Sequence, residues 1–119
     1  MCGAMSDVLV DSDVLIDHMN GRSRFDLTQH EPAYSIITRC ELFAGRTPPP
    51  AVIRQLLEPF EELGLDRAIA ERTGRLRQQG LRIADAIIAA TTIEHKLTLV
   101  TRNRRHFEGV RGLKLRSPA

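Results

Sequence analysis

Val8-Leu9-Val10 is a short apolar run that ends abruptly in Asp11-Ser12-Asp13 and passes into a second apolar segment, Val14-Leu15-Ile16. A brief apolar stretch without polar alternation reads as a strand buried on both faces, the condition found in parallel sheets covered by helices. A carboxylate at the carboxyl end of such a strand lies where open α/β sheets place their chemistry. The stretch thus favours an α/β architecture and raises the question of which other acids meet Asp11.

The chain continues in the same alternation. Asp13 or Ser12 is placed to cap a helix through Val14, Leu15 and His18, and Asn20-Gly21 stops it. Residues 22–31 are polar, lack a strong period and have room for one helical turn. Pro32 opens Ala33-Tyr34-Ser35-Ile36-Ile37, a second strand. Thr38 and Glu41 stand at capping-box spacing, which predicts a short helix halted by Gly45 and Pro48-Pro49-Pro50. Residues 51–57 resume a helical period, Glu58-Pro59 interrupts it, and Leu63-Gly64-Leu65 predicts a third strand. Asp66 caps a helix carrying Ala68, Ile69, Arg72 and Leu76, closed by Gly80. The longest helical period follows, with Asp85 in its first turn. Leu97-Thr98-Leu99-Val100-Thr101 reads as a strand and Leu113-Lys114-Leu115 as a short edge strand. Strands alternating with helices predict a three-layer α/β sandwich, with a central parallel sheet of four to five strands and helices on both faces. A length of 119 residues fits one such unit: residues 1–6 read as a flexible leader and 7–119 as a single domain.

Net charge is only +2, but 15 of the 17 basic residues are arginine. Arginine suits bidentate phosphate contacts and stacking on bases, although a coding bias towards G and C produces the same enrichment. Cys2 and Cys40 form no spaced pair and suit a reducing compartment. No membrane span or signal peptide is evident, so a cytoplasmic location without membrane association is expected.

In a parallel sheet the ends of the first strand, the 35–41 corner and the 101–103 corner fall on one rim. Asp11 has little structural reason to be acidic if Asp13 supplies the cap. Glu41 is explained by the reciprocal capping bond, and Asp85 by a favourable interaction with its helix start. Asp85 nevertheless lies within Ile83-Ala84-Asp85-Ala86-Ile87-Ile88, where a buried charge needs a cation or donors. Three carboxylates on one rim repel one another unless a cation joins them. Oxygen-only ligands point to a hard ion, Mg²⁺ or Mn²⁺, able to activate water and to neutralise a phosphate oxygen. Ser12, Ser35 and Thr101 are placed to donate to the carboxylates. Arg102, Arg104 and Arg105 form a basic turn beside them, either solvated or binding phosphate.

Four blocks carry a family resemblance: Val8-Leu9-Val10-Asp11-Ser12-Asp13-Val14-Leu15-Ile16-Asp17; Ser35-Ile36-Ile37-Thr38-Arg39-Cys40-Glu41-Leu42; Ile83-Ala84-Asp85-Ala86-Ile87-Ile88-Ala89-Ala90-Thr91; and Leu97-Thr98-Leu99-Val100-Thr101-Arg102-Asn103 with His106-Phe107. In this order and spacing the chain resembles PIN-domain proteins, in particular the VapC-type toxins of bacterial toxin–antitoxin pairs. The resemblance implies a helix-covered parallel sheet, a Mg²⁺- or Mn²⁺-dependent endoribonuclease acting on RNA, a homodimer, and a small antitoxin that neutralises it. It assigns Asp11, Glu41 and Asp85 as catalytic metal ligands. The fourth acidic position of many PIN domains is Asn103 here, and where related chains carry a later acid this one has His106, which implies one well-held ion. Ser12, Thr101 and Asn103 become supporting residues, and Leu42, Phe43 and residues 51–57 become candidates for antitoxin contact, against plain core packing.

Two other readings compete with this one. The Asp11-Ser12-Asp13-Val14 motif also resembles the nucleophile motif of haloacid-dehalogenase-type phosphatases. Those need a later lysine, and only Lys96 and Lys114 exist, neither well placed. Asn103 keeps open a catalytically weak PIN-like module that binds RNA or a partner without cutting.

Overall fold

The computed structural model describes residues 6–22 and 30–118. The leader proposed for residues 1–6 and the helical turn allowed within 22–31 lie almost wholly outside these residues. Five strands form one sheet: β1 (Val8–Val10), β2 (Pro32–Ser35), β3 (Glu61–Leu63), β4 (Thr98–Val100) and β5 (Lys114–Arg116). Their order is β3-β2-β1-β4-β5, and every pairing is parallel. The first crossover runs from β1 to β2 on one side, whereas β4 returns to the other side of β1. The crevice of this sheet therefore opens at the carboxyl ends of β1 and β4.

Alternation along the strands divides the core in two. Leu9, Ala33 and Leu99 point to one face, packed with Ile69, Leu76 and Ile88 from α4 (Arg67–Gln78) and α5 (Ile83–Glu94). Val8, Val10, Tyr34 and Val100 point to the other, packed with residues of α1 (Ser12–Met19), α2 (Ile36–Ala44) and α3 (Pro50–Leu57). This is the expected sandwich, with the sheet between two helical layers. Each fully buried leucine contributes roughly 1.5–3 kcal/mol by leaving water.

Three local expectations are corrected. The helix after β1 is capped by Asp11 rather than by Asp13 or Ser12, because Asp11 keeps extended dihedrals and its side chain accepts the Ser12 N–H. The second strand stops at Ser35, whose hydroxyl accepts the Ile37 N–H. Helix α2 thus starts at Ile36, leaving Thr38 buried inside it and no capping box at Glu41. The third strand is Glu61–Leu63 rather than 63–65. Its two glutamates face water, and Glu62 binds Tyr34 Oη and Arg39 Nε, so polar contacts to neighbouring elements hold an edge strand that lacks an apolar period. The proline run ends productively: Pro50 opens α3, where its missing N–H costs nothing. Gly80 closes α4 at φ +102°, a conformation that side chains disfavour.

Candidate active site

The site begins with the end of β1. Asp11 remains hydrogen-bonded in the sheet through its N–H to the Val100 carbonyl (2.9 Å). The residue is only 7% exposed, and its carboxylate accepts the Ser12 N–H at Oδ1 (2.8 Å) and the Thr101 hydroxyl at Oδ2 (2.8 Å). Thr101 follows β4 and is fully buried, and its Oγ1 also accepts the Asn103 N–H (3.0 Å). The adjacency of β1 and β4 thus fixes the acid from a residue 90 positions away.

Glu41 comes from the middle of α2. Its Oε1 accepts the Ser12 hydroxyl (2.6 Å), which also lies 3.1 Å from Thr38 Oγ1. Ser12 therefore supports two acids, Asp11 through its backbone and Glu41 through its side chain. Ser35, expected to donate to the carboxylates, is instead the α2 cap.

Asp85 lies in the first turn of α5 and lines one cleft with Asp11, Glu41, Asn103 and His106. Helix α5 starts beside the rim, so Asp85 reaches the cleft from its first turn. His106 sits in a 3₁₀ turn (Arg104–His106), with its Nδ1 3.6 Å from Asp85 Oδ2. Asp13 faces the same cleft from α1, and its Oδ2 accepts Asn103 Nδ2 (2.9 Å) and the Arg102 N–H (3.3 Å). Asp13 Oδ1 is buried with no hydrogen-bond partner among the described residues.

The electrostatics are those of crowded acids. Burial pushes Asp11 upward against the Thr101 and Ser12 bonds that hold it down, and the Asp85 charge adds to the rise. Asp13 is pushed up to about 6, first by burial and then by Asp11, against Arg102. Asp85 is raised by burial; His106 and Arg82 oppose this, and Glu41 reinforces it. A cation in the cleft would relieve all three. Among the described residues no three acidic, histidine or cysteine side chains are drawn close enough to enclose an ion as they stand. The donor set, carboxylates from three elements facing one cleft beside an orphaned carboxylate oxygen, nevertheless has the chemistry of a hard-cation site.

A PIN-domain family model matches residues 8–113. The chain belongs to the PIN-domain family. Within it the similarity is to VapC ribonucleases. Ribonuclease VapC1 of Methanocaldococcus jannaschii is 34% identical over 120 residues, covering 92% of this chain and 87% of that protein. The tRNA(fMet)-specific endonuclease VapC of Shigella flexneri is 34% identical over 105 residues, covering 78% and 80%. A toxin–antitoxin complex from Klebsiella pneumoniae contains a chain of the same fold, with TM-score 0.80, 34% identity, and coverage of 95% of this chain and 98% of that one.

Several residues of this PIN domain were not legible beforehand. Arg82, the residue before α5, lines the cleft and acts on Asp85 through its charge. Thr38 supports Ser12 from within α2. Arg102, grouped in the sequence with Arg104 and Arg105, has Nε 3.0 Å from Asp17 Oδ2 and 3.8 Å from Asp13 Oδ2, both on α1. Arg104 and Arg105 border an exposed depression beside the cleft with no ion pair among the described residues. Of the surface expected for antitoxin contact, Leu42, Ile53 and Leu57 are core residues, and Phe43 is partly covered, with the Arg54 guanidinium 5.5 Å over its ring. The apolar side chains left accessible nearby are Ile16 (38%) and Val52 (40%), which line a groove with Met19 and Pro48. No helix among the described residues is long and apolar enough to cross a membrane.

Proposed function

We propose that this protein is the toxin of a toxin–antitoxin pair, a Mg²⁺- or Mn²⁺-dependent endoribonuclease that hydrolyses RNA phosphodiester bonds. The observation that carries the reading is the meeting of Asp11, Glu41 and Asp85, from three separate elements, in one cleft whose carboxylates repel one another. These three would hold the ion. Bound there, a divalent cation supplies an acidified water as nucleophile and a counter-charge for a phosphate oxygen. Thr101 and the Ser12 N–H fix the Asp11 carboxylate in one orientation, and the Ser12 hydroxyl holds Glu41 towards it. Asn103 contributes no charge and serves to bind Asp13, which supports one ion rather than two. The catalytically weak alternative draws on Asn103 alone, and that residue has a structural task here.

An antitoxin partner is supported by the similarity to a chain of a toxin–antitoxin complex, and the groove edged by Ile16 and Val52 is the apolar surface offered to it. The purified protein with Mn²⁺ is expected to cut single-stranded or structured RNA. Chelation, Asp11→Asn or Asp85→Asn is expected to abolish cleavage with the far-ultraviolet circular dichroism unchanged. Cleavage that persists in any of these would sink the proposal. Growth arrest on expression, relieved by a co-expressed antitoxin, tests the biological role.

A further inference from the structure

Interactions sort the arginines of the chain. Arg39 is bound to Glu62 and Tyr34, Arg72 to Glu94, Arg77 to the Leu81 carbonyl and Arg54 to the Phe43 ring. Arg102, the member of the basic turn nearest the acids in sequence, is bound to Asp17 and Asp13. Arg82, Arg104 and Arg105 are exposed, and no hydrogen bond or ion pair joins their guanidinium groups to the described residues. Arg82 is remote in sequence from the adjacent pair Arg104 and Arg105. Arg82 enters from the start of α5, whereas Arg104 and Arg105 enter from the turn after β4, with Asp85 and His106 lining the cleft between these two elements.

We propose that the RNA backbone crosses the cleft with one phosphate held by Arg82 and another by Arg104 and Arg105, while Arg102 is a positioning residue that ties the 101–103 corner to α1. The proposal rests on the ribonuclease reading above. An acidic cleft repels a polyanion, so unneutralised cations on both of its borders are what allow a strand to lie across the carboxylates. Arg82 is suited to this because its side chain makes no capping bond and its guanidinium remains available for bidentate contact. Arg102 is unsuited because a phosphate must compete with two carboxylates already in contact with it.

The test is steady-state cleavage of a single-stranded RNA oligonucleotide by the full chain with Mn²⁺, at salt concentrations spanning a tenfold range. Arg82→Gln is expected to raise KM about tenfold with kcat within about twofold, and to make the slope of log(kcat/KM) against log[salt] shallower by about 0.7, the value for one phosphate contact on a single strand. Arg82→Lys should restore the slope. Arg104→Gln combined with Arg105→Gln should act in the same way, whereas Arg102→Gln should leave the slope unchanged and lower the urea midpoint. If the parent cuts RNA and Arg82→Gln leaves KM and slope unchanged, the assignment is wrong and the ribonuclease reading stands. A fall in kcat at constant KM and slope would overturn it as well, placing Arg82 in the service of Asp85. If the parent cuts no RNA, the functional reading itself fails.

Discussion

Thr101→Val keeps the shape of the side chain and deletes its oxygen. The position is fully buried, so the near-isosteric change opens no cavity and the cost is electrostatic. The lost bond runs to an ionised acceptor, Asp11 Oδ2, and hydrogen bonds to charged groups are worth about 1.5–3 kcal/mol. The Asn103 N–H, which also loses its acceptor, is only partly buried and can turn to water, so it adds little. A loss of about 2 kcal/mol, at a urea dependence of about 1–3 kcal/mol/M, lowers the unfolding midpoint by roughly 1 M. Repeating the substitution in an Asp11→Asn background isolates the term, because a bond to a neutral amide is worth about half as much. The penalty should also shrink in acid. Asp11 titrates above the ordinary carboxylate range, and once pH falls below its folded value the acceptor is neutral. The reasoning is refuted if the midpoint moves by less than roughly 0.3 M, or if the loss is the same in both backgrounds.

Other outcomes are expected. Asp13, pushed up to about 6 from 3.8, binds its proton more tightly in the folded chain, so its own contribution to stability without metal is fully present in acid and is lost as pH rises from about 4 through about 6. The decline amounts to up to ~3 kcal/mol, and Asp13→Asn should flatten it in urea titrations in chelator, which an unchanged pH profile would contradict. Glu62 behaves oppositely: the Tyr34 and Arg39 bonds hold its carboxyl low, so its contribution is present above the ordinary range and is lost as pH falls through the folded value. Glu62→Gln should therefore cost stability at neutral pH and progressively less as pH falls below the ordinary carboxylate range. Ser12→Ala keeps the N–H on Asp11 and removes the hydroxyl on Glu41. Cleavage should fall roughly tenfold, with less than about 1.5 kcal/mol of destabilisation, because Glu41 is exposed and water replaces much of what a bond to a carboxylate is otherwise worth. Equal losses of cleavage and of folded protein would assign Ser12 a merely structural role.

How far the sequence could be read depended on the range of the interactions. Val8-Leu9-Val10 and Leu97-Thr98-Leu99-Val100 announce buried strands by composition, and once they are parallel neighbours the rim positions of Asp11 and Thr101 follow. Helix starts were misread because caps depend on where a strand lets go. Pairing with β4 carries β1's hydrogen bonds as far as Asp11, which makes Asp11 and not Asp13 the cap. Strand β3 has no apolar period, being held by Tyr34 and Arg39 from elsewhere in the chain. Arg82 and Arg102 carry the same charge next to similar motifs, and only the position of α1 distinguishes the tied one from the untied one.

Because β4 lies beside β1, the strand made first has as its neighbour one of the last to be made. Asp11 is not fixed by Thr101, and the crevice has no second wall, until residues 98–101 have been synthesised and inserted. Residues 98–101 must therefore leave the ribosome before any cleft exists to cut the RNA around it. For a protein whose proposed substrate is RNA, the strand order ties assembly of the cleft to a late part of the chain.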